Sequence, residues 1–196
     1  MKMTLSFDAT NVIVISGKRH SGKTVLAKWI IDKYIEQNND VVIYDINGEY
    51  VNYKHKALIY KFASVNDYKM KIDELINSDM SKGNRILVLD DIDVLVSQNS
   101  IPESLLECLI RGRHRNIGLI LIFRRINSIH KQIIFNADHY FIYRSKFELD
   151  IRYLQDNLGA IFSLDDLDKY EFLYLNSEDM EFKAKIDLNS YKMVKK

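Results

Sequence analysis

Eight consecutive residues, Gly17-Lys18-Arg19-His20-Ser21-Gly22-Lys23-Thr24, carry two glycines, a lysine and a hydroxyl at the spacing G-x-x-x-x-G-K-[ST]. The chemistry this spacing suits is the gripping of a polyphosphate. Successive main-chain N–H groups and a helix N-terminus turn toward one anionic point, and glycine lets the backbone come close. Lys23 is placed to reach the terminal phosphates and the Thr24 hydroxyl to ligate Mg²⁺. Lys18, Arg19, His20, Ser21 and Val25 complete the contact surface for ATP.

A second group lies about seventy residues on, at the end of Ile86-Leu87-Val88-Leu89-Asp90-Asp91. A carboxylate closing a buried strand can hold Mg²⁺ or its water, which is the role expected of Asp90. Asp91 follows where a general base would orient water for attack on a γ-phosphate, and is one methylene shorter than glutamate. By itself Asp-Asp-Ile-Asp could equally be a solvated strand end; the phosphate loop upstream gives it meaning. A third stretch, Asp45-Ile46-Asn47-Gly48-Glu49-Tyr50, reads either as part of the site or as a polar turn in which Gly48 takes a positive φ. Its Asp-x-x-Gly spacing also occurs in GTPases, but no Asn-Lys-x-Asp element follows to specify guanine.

The elements around these residues must hold them at one edge of a sheet. Apolar β-branched runs predict strands near Asn11–Ser16, Val41–Tyr44, Ala57–Phe62, Arg85–Leu89, Ile117–Phe123 and His139–Tyr143. Helical spacing predicts helices over Lys23–Gln37, Val65–Asn77, Ile101–His114, Ile129–Phe135 and Lys146–Asn157. The alternation implies a mainly parallel sheet between helices, and continuous runs such as Val12-Ile13-Val14-Ile15 imply strands buried on both faces. Ser100-Ile101-Pro102-Glu103 reads as a capping box at the start of the third helix. Beyond Gly159, Glu171–Leu175 and Glu181–Ile186 read as a terminal β-hairpin around Asn176-Ser177-Glu178-Asp179, and Tyr191–Lys196 as a frayed basic tail.

Length and composition fit this architecture. The chain's 196 residues suit one α/β domain with a core over about residues 10–190, and 47% hydrophobic residues can fill it. No apolar run approaches the roughly 18–20 residues of a membrane span, and Met1–Ala9 lacks a secretory pattern. The single cysteine, Cys108, fits a cytoplasmic setting. His20, His55, His114, His130 and His139 lack metal-ligand spacing, so no zinc site is expected. Trp29 and the tyrosines read as packing residues, not as a platform for stacked bases. A net charge of +1 confines any nucleic-acid contact to local clusters. Arg111, Arg113, His114 and Arg115 form one such cluster, and Arg124, Arg125 and Lys131 another; cations at a helix C-terminus also suit its dipole.

Taken together, the phosphate loop with Asp90-Asp91, the segment Tyr44–Tyr50, and the run from Arg111 to His139 resemble the FtsK/HerA superfamily of DNA-pumping ATPases. The last run is the most specific: Gly112-Arg113-His114, a strand, Arg124-Arg125, then Asn136-Ala137-Asp138-His139. The resemblance covers about residues 10–190 and implies a three-layer P-loop NTPase fold of the ASCE/RecA-like type, with a C-terminal hairpin. It implies an Mg-dependent ATPase with Glu49 at the active site. Arg124 stands at the position where the family carries a polar sensor, and Arg113 or Arg115 would serve as an arginine finger in a neighbouring subunit. With the first strand about ten residues from Met1, the chain most resembles single-domain viral genome-packaging ATPases.

That likeness implies a homo-oligomeric ring, with six subunits expected, moving double-stranded DNA without sequence preference. Capsid or membrane-associated viral proteins are the further partners implied, and host cytoplasm or the virion the location. Rival readings are a HerA-like motor in plasmid transfer or repair, a small nucleotide kinase, and a non-hydrolysing assembly switch. The kinase lacks an arginine-rich lid in this sequence, whereas Asp91 and Arg124 lend the switch support.

Overall fold

The computed structural model describes residues 5–51, 53, 57–160, 163–177, 181–187 and 192–195. Met1 to Thr4, His55, Glu178, Asp179, Tyr191 and Lys196, which entered the sequence reading, lie outside them. The chain alternates β1 (Val12–Ser16), α1 (Lys23–Glu36), β2 (Asp40–Asp45), β3 (Leu58–Lys61), α2 (Val65–Lys82) and β4 (Arg85–Leu89). It continues through α3 (Glu103–Arg111), β5 (Ile117–Phe123), α4 (Lys131–Asn136), β6 (His139–Tyr143) and α5 (Glu148–Leu158). It closes with β7 (Glu171–Asn176), β8 (Glu181–Asp187) and β9 (Lys192–Lys195).

All nine strands form one sheet in the order β3-β2-β4-β5-β1-β6-β7-β8-β9. The first six in that order run parallel, and β7, β8 and β9 add antiparallel. Period-two alternation divides the apolar strands between two cores. Ile13, Ile15, Ile86, Val88, Ile120 and Ile122 pack with Leu26, Ile30 and Tyr34 of α1. Val12, Val14, Leu87, Leu89, Leu119 and Leu121 pack with side chains of α2, α3, α4 and α5 on the other face. The result is three layers, as the continuous apolar runs require.

Three local expectations need correction. The capping box at Ser100–Glu103 does not form: α3 begins at Glu103, with Pro102 at the N-cap and no side-chain cap bond. Ser100 instead makes a bridge with Ser97, and Asp73 of α2 accepts the Ser104 N–H at 3.2 Å. A long-range carboxylate therefore replaces the local cap. Second, α2 runs to Lys82, five residues further than predicted, ending at Gly83 with φ 65°. Buried Asp79 anchors its last turn, accepting from Tyr44 Oη at 2.7 Å and Arg85 Nη1 at 2.8 Å. Third, the tail is not frayed over its whole length: residues 192–195 pair with β8, so the hairpin becomes a three-stranded meander. Among the described residues, no helix is long and apolar enough to cross a membrane.

Candidate functional site

The parallel strands β1, β4 and β5 lie side by side, so their C-terminal ends deliver three loops to one edge of the sheet. From β1 the chain enters Gly17–Thr24. Gly17 N–H donates to Phe123 O at 3.1 Å, tying the loop's start to β5. A Cβ on Gly17 would stand 2.6 Å from Tyr143 Cβ and 2.9 Å from Ser21 Oγ, so only glycine fits without displacement. Gly22 caps α1 at φ 103°, a region glycine enters freely. No side chain caps α1 and its first turn holds no acid, so its N-terminal N–H groups and positive dipole end are left for an anion. Lys23 is buried and its ammonium donates back to Lys18 O at 3.0 Å. Burial lowers its pKa, while Asp91, Asp90, Asp93 and Glu49 pull in the opposite direction.

Opposite the loop stands the end of β4. Asp90 is buried, and its carboxylate accepts the Asp91 N–H at 2.8 Å. Burial, then the charges of Asp91 and Glu49, push the Asp90 carboxyl up to about 7. Asp91 takes the left-handed conformation, φ 48°. Arg124, just past β5, donates to it from both Nε (3.1 Å) and Nη2 (2.6 Å), and Asn47 Nδ2 adds a further bond. Burial would raise the Asp91 pKa, but the bonds and charge of Arg124, with Asn47 and Lys23, outweigh it and hold the carboxyl below its ordinary range. Asp93 braces the same arrangement by accepting Arg124 N–H at 2.7 Å and Ser128 Oγ at 2.8 Å.

The segment after β2 provides the third side. Buried Asp45 accepts the N–H of Glu49 at 3.0 Å and of Tyr50 at 2.9 Å, folding the chain into a turn with Gly48 at φ 73°. The polar-turn reading of this stretch therefore holds, and the turn sets Glu49 beside the phosphate loop. The Glu49 carboxylate accepts a hydrogen bond from Thr24 Oγ1. Its carbonyl oxygen accepts from Lys28 Nζ at 2.8 Å. Tyr50 anchors the turn in the core, fully buried.

These groups surround a cleft of about 530 Å³, lined among others by Ser21, Lys23, Thr24, Glu49, Asp90 and Asp91. Arg19, His20, Gly22 and Val25 also face it, whereas Gly17, Lys18 and Arg124 line an adjoining cleft. The oxygen donors of Thr24, Asp90 and Glu49 suit a hard cation. Among the described residues, no group of three or more His, Cys, Asp or Glu could hold a metal ion. Two carboxylates and a hydroxyl are a donor set compatible with Mg²⁺, an ion that commonly takes its remaining ligands from water and phosphate oxygens.

Arg113 and Arg115 do not join the site. They are exposed in the 3₁₀ turn Gly112–Arg115 that precedes β5, a strand's length, roughly 20 Å, from the phosphate loop. Among the described residues, neither pairs with a carboxylate. Sequence reading missed Asn47 and Asp93 as supports of Asp91 and Arg124. Both sat in segments already singled out, but their partners are more than thirty positions away in the chain.

Comparison with known proteins accords with this geometry. Residues 13–91 match the family described as helicase HerA, central domain. No curated protein matches the chain. The genome packaging NTPase B204 from Sulfolobus turreted icosahedral virus 2, in complex with sulfate, superposes with a TM-score of 0.79. That alignment covers 90% of this chain and 96% of B204 at 18% identity. The ATP-gammaS complex of B204 gives a TM-score of 0.76 and 19% identity, covering 96% and 98% of the two chains. The pCW3 conjugation coupling protein TcpA, with ATPgS, shares the fold at a TM-score of 0.63 and 14% identity, over 89% of this chain and 59% of TcpA. The resemblance to FtsK/HerA-type P-loop ATPases is thus borne out, and so is the three-layer fold with its antiparallel C-terminal strands.

Proposed function

We propose that this chain is a packaging-type ATPase that hydrolyses Mg·ATP and uses the energy to move double-stranded DNA through a homo-oligomeric ring. The observation that carries the nucleotide half is the convergence of Lys23, Thr24, Glu49, Asp90 and Asp91 on one cleft at the open N-terminus of α1. In this reading the loop amides and Lys23 hold the phosphates, while Thr24 and Asp90 hold Mg²⁺. When bound, the ion offsets charge on the phosphate oxygens. Asp91 orients the attacking water, and Arg124 and Glu49 adjust it. The solved relatives that carry ATP-gammaS and ATPgS support nucleotide binding here.

The translocase half is supported by the likeness to B204, a genome packaging NTPase, and to TcpA, a conjugation coupling protein. Arg113 and Arg115 add support, since cations exposed far from their own phosphate loop are available to a neighbour's γ-phosphate. A ring would also repeat a modest basic surface around the duplex and so overcome a net charge of only +1. Hexameric stoichiometry, contact with capsid or membrane-associated viral proteins, and a host-cytoplasmic location rest on the same analogy.

ATP turnover with and without duplex DNA, in the wild type and in Lys23→Ala, tests the reading. Turnover stimulated by duplex and lost in the variant is the expected result; wild-type turnover indifferent to DNA would remove the motor. A second reading, a nucleotide-dependent assembly switch, draws on the occupation of Asp91 by Arg124 and Asn47. ATP binding without turnover at high protein concentration would favour it.

A further inference from the structure

Among the described residues, six non-glycine residues have positive φ: His20, Asn38, Asn84, Asp91, Asn116 and Tyr170. Three are asparagines, which tolerate the left-handed region. The other three all line the same cleft, the one that holds Lys23 and Asp90. His20 belongs to the phosphate loop and Asp91 to the acidic pole, so two of the three are accounted for. Tyr170 is not.

Tyr170 has φ 68°, a left-handed conformation that is an outlier for so bulky a side chain and that glycine adopts more easily. A tight turn holds it there: Asp168 N–H donates to Glu171 Oε2 at 2.9 Å, and Glu171 N–H donates to Asp168 O at 3.1 Å. The side chain is not buried in return, remaining 50% exposed. Its ring atom Cδ1 lies 3.5 Å from where a Gly22 Cβ would stand, directly against the phosphate loop. The ring borders both the 530 Å³ cleft and an adjoining cleft of about 490 Å³, whose walls include Lys18, Arg19, Tyr143 and Arg144. Asp90, Asp91 and Glu49 line only the first.

The nucleotide therefore has a direction. On the nucleotide reading, a triphosphate with its terminal phosphates and ion at the acidic pole would carry its nucleoside away from that pole, and Tyr170 stands at the seam between the two clefts against Gly22. We propose that Tyr170 is the platform on which the nucleobase stacks, and that it makes the cleft select nucleoside triphosphates with large π faces. Stacking reads the face of a base and not its edge, so adenine and guanine are accepted alike and pyrimidines bind more weakly. The inference rests on the nucleotide reading above and adds a determinant of specificity that the phosphate-loop motif does not contain. It also explains why a strained aromatic occupies a position where glycine would fold more easily.

Calorimetric titration of the Mg²⁺ complexes of ATP, GTP, CTP and tripolyphosphate tests it in the wild type and in Tyr170→Ala, Tyr170→Gly and Tyr170→Phe. Base–aromatic stacking predicts a loss of roughly ten-fold in ATP and GTP affinity for the Ala and Gly variants, with tripolyphosphate unchanged and Phe close to wild type. Tyr170→Gly should melt at or above the wild-type temperature, showing that lost affinity is not lost folding. Wild-type affinity for ATP in Tyr170→Gly would overturn the proposal. Equal losses for ATP and tripolyphosphate would also overturn it, making Tyr170 a prop for the loop. No binding of any of the four ligands by the wild type would overturn the nucleotide reading itself.

Discussion

Arg124 grips Asp91 with two nitrogens, Nε to Oδ1 at 3.1 Å and Nη2 to Oδ2 at 2.6 Å. The pair joins the end of β5 to the end of β4 at the seam between the two clefts they line, and Asn47 binds the same carboxylate from the β2 side. A side chain assigned to orient water is thus already engaged by a guanidinium. Under the proposed function, a γ-phosphate in the cleft would offer Arg124 a competing anion, and its capture would free Asp91.

Asp91→Asn is expected to keep ATP binding within a few-fold and to lower turnover by at least about 100-fold, the scale of general-base catalysis. Single-turnover kinetics beside equilibrium binding separates the two quantities. Arg124→Ala and Asp91→Ala should be non-additive in stability by about 1 kcal/mol, a value kept low because the Arg124 side chain is 35% exposed. Full additivity in urea denaturation would mean that the pair is not coupled in solution.

Asp45 serves the site at one remove. Its carboxylate accepts two main-chain N–H groups that present Glu49 and seat Tyr50. Asp45→Ala should cost about 1–3 kcal/mol of stability through the orphaned donors. Turnover should fall with it, because Glu49 loses its position beside Thr24. Unchanged turnover in a destabilised variant would show that Glu49 is not needed for the reaction.

Gly17→Ala should weaken nucleotide binding by at least ten-fold, since the new methyl group meets Tyr143 Cβ and Ser21 Oγ inside normal contact distance. Displacing either reshapes the loop whose amides are proposed to hold the phosphates. Wild-type affinity in a titration with ATP would show that the loop has room the structure does not.

Asp90 carries a pH signature. In the folded, metal-free protein its carboxyl is pushed up to about 7, against about 4 in an unfolded chain. The folded state therefore holds the proton more tightly. The associated stability is fully present below about pH 4 and is lost as pH rises through about 7. In chelator, the melting temperature of Asp90→Asn should gain on the wild type between about pH 5 and pH 8. Parallel curves would show that Asp90 is not perturbed.

Arg113 and Arg115 stand far from their own chain's phosphate loop. If either acts on a neighbour, Lys23→Ala subunits mixed with Arg113→Ala or Arg115→Ala subunits should recover part of the turnover that each lacks alone. Mixtures no more active than their components would exclude a finger supplied in trans.

Much of this was legible in the chain, because the physics involved is local. The phosphate loop is a matter of consecutive backbone angles, and Gly17–Thr24 specifies them within eight residues. Strands β1, β4 and β5 are buried on both faces and so announce themselves as unbroken apolar runs. The end of α2 and the start of α3 differ from what the local pattern predicts, because Asp79 and Asp73 settle them through partners elsewhere in the fold. Likewise the tail gained a strand, β9, because β8 offers it an edge.

What only the tertiary structure decided is which distant groups meet beside the phosphate loop. Asn47, Arg124 and Asp91 meet because β2, β4 and β5 are adjacent in the sheet, an order no run of residues encodes. Tyr170 lies against Gly22, far earlier in the chain, because the turn at Asp168–Glu171 sets it there. Contacts within a few residues are determined by covalent geometry and so can be read along the chain. Contacts across the sheet depend on the packing of every strand and helix between them, and exist only once the whole molecule has folded.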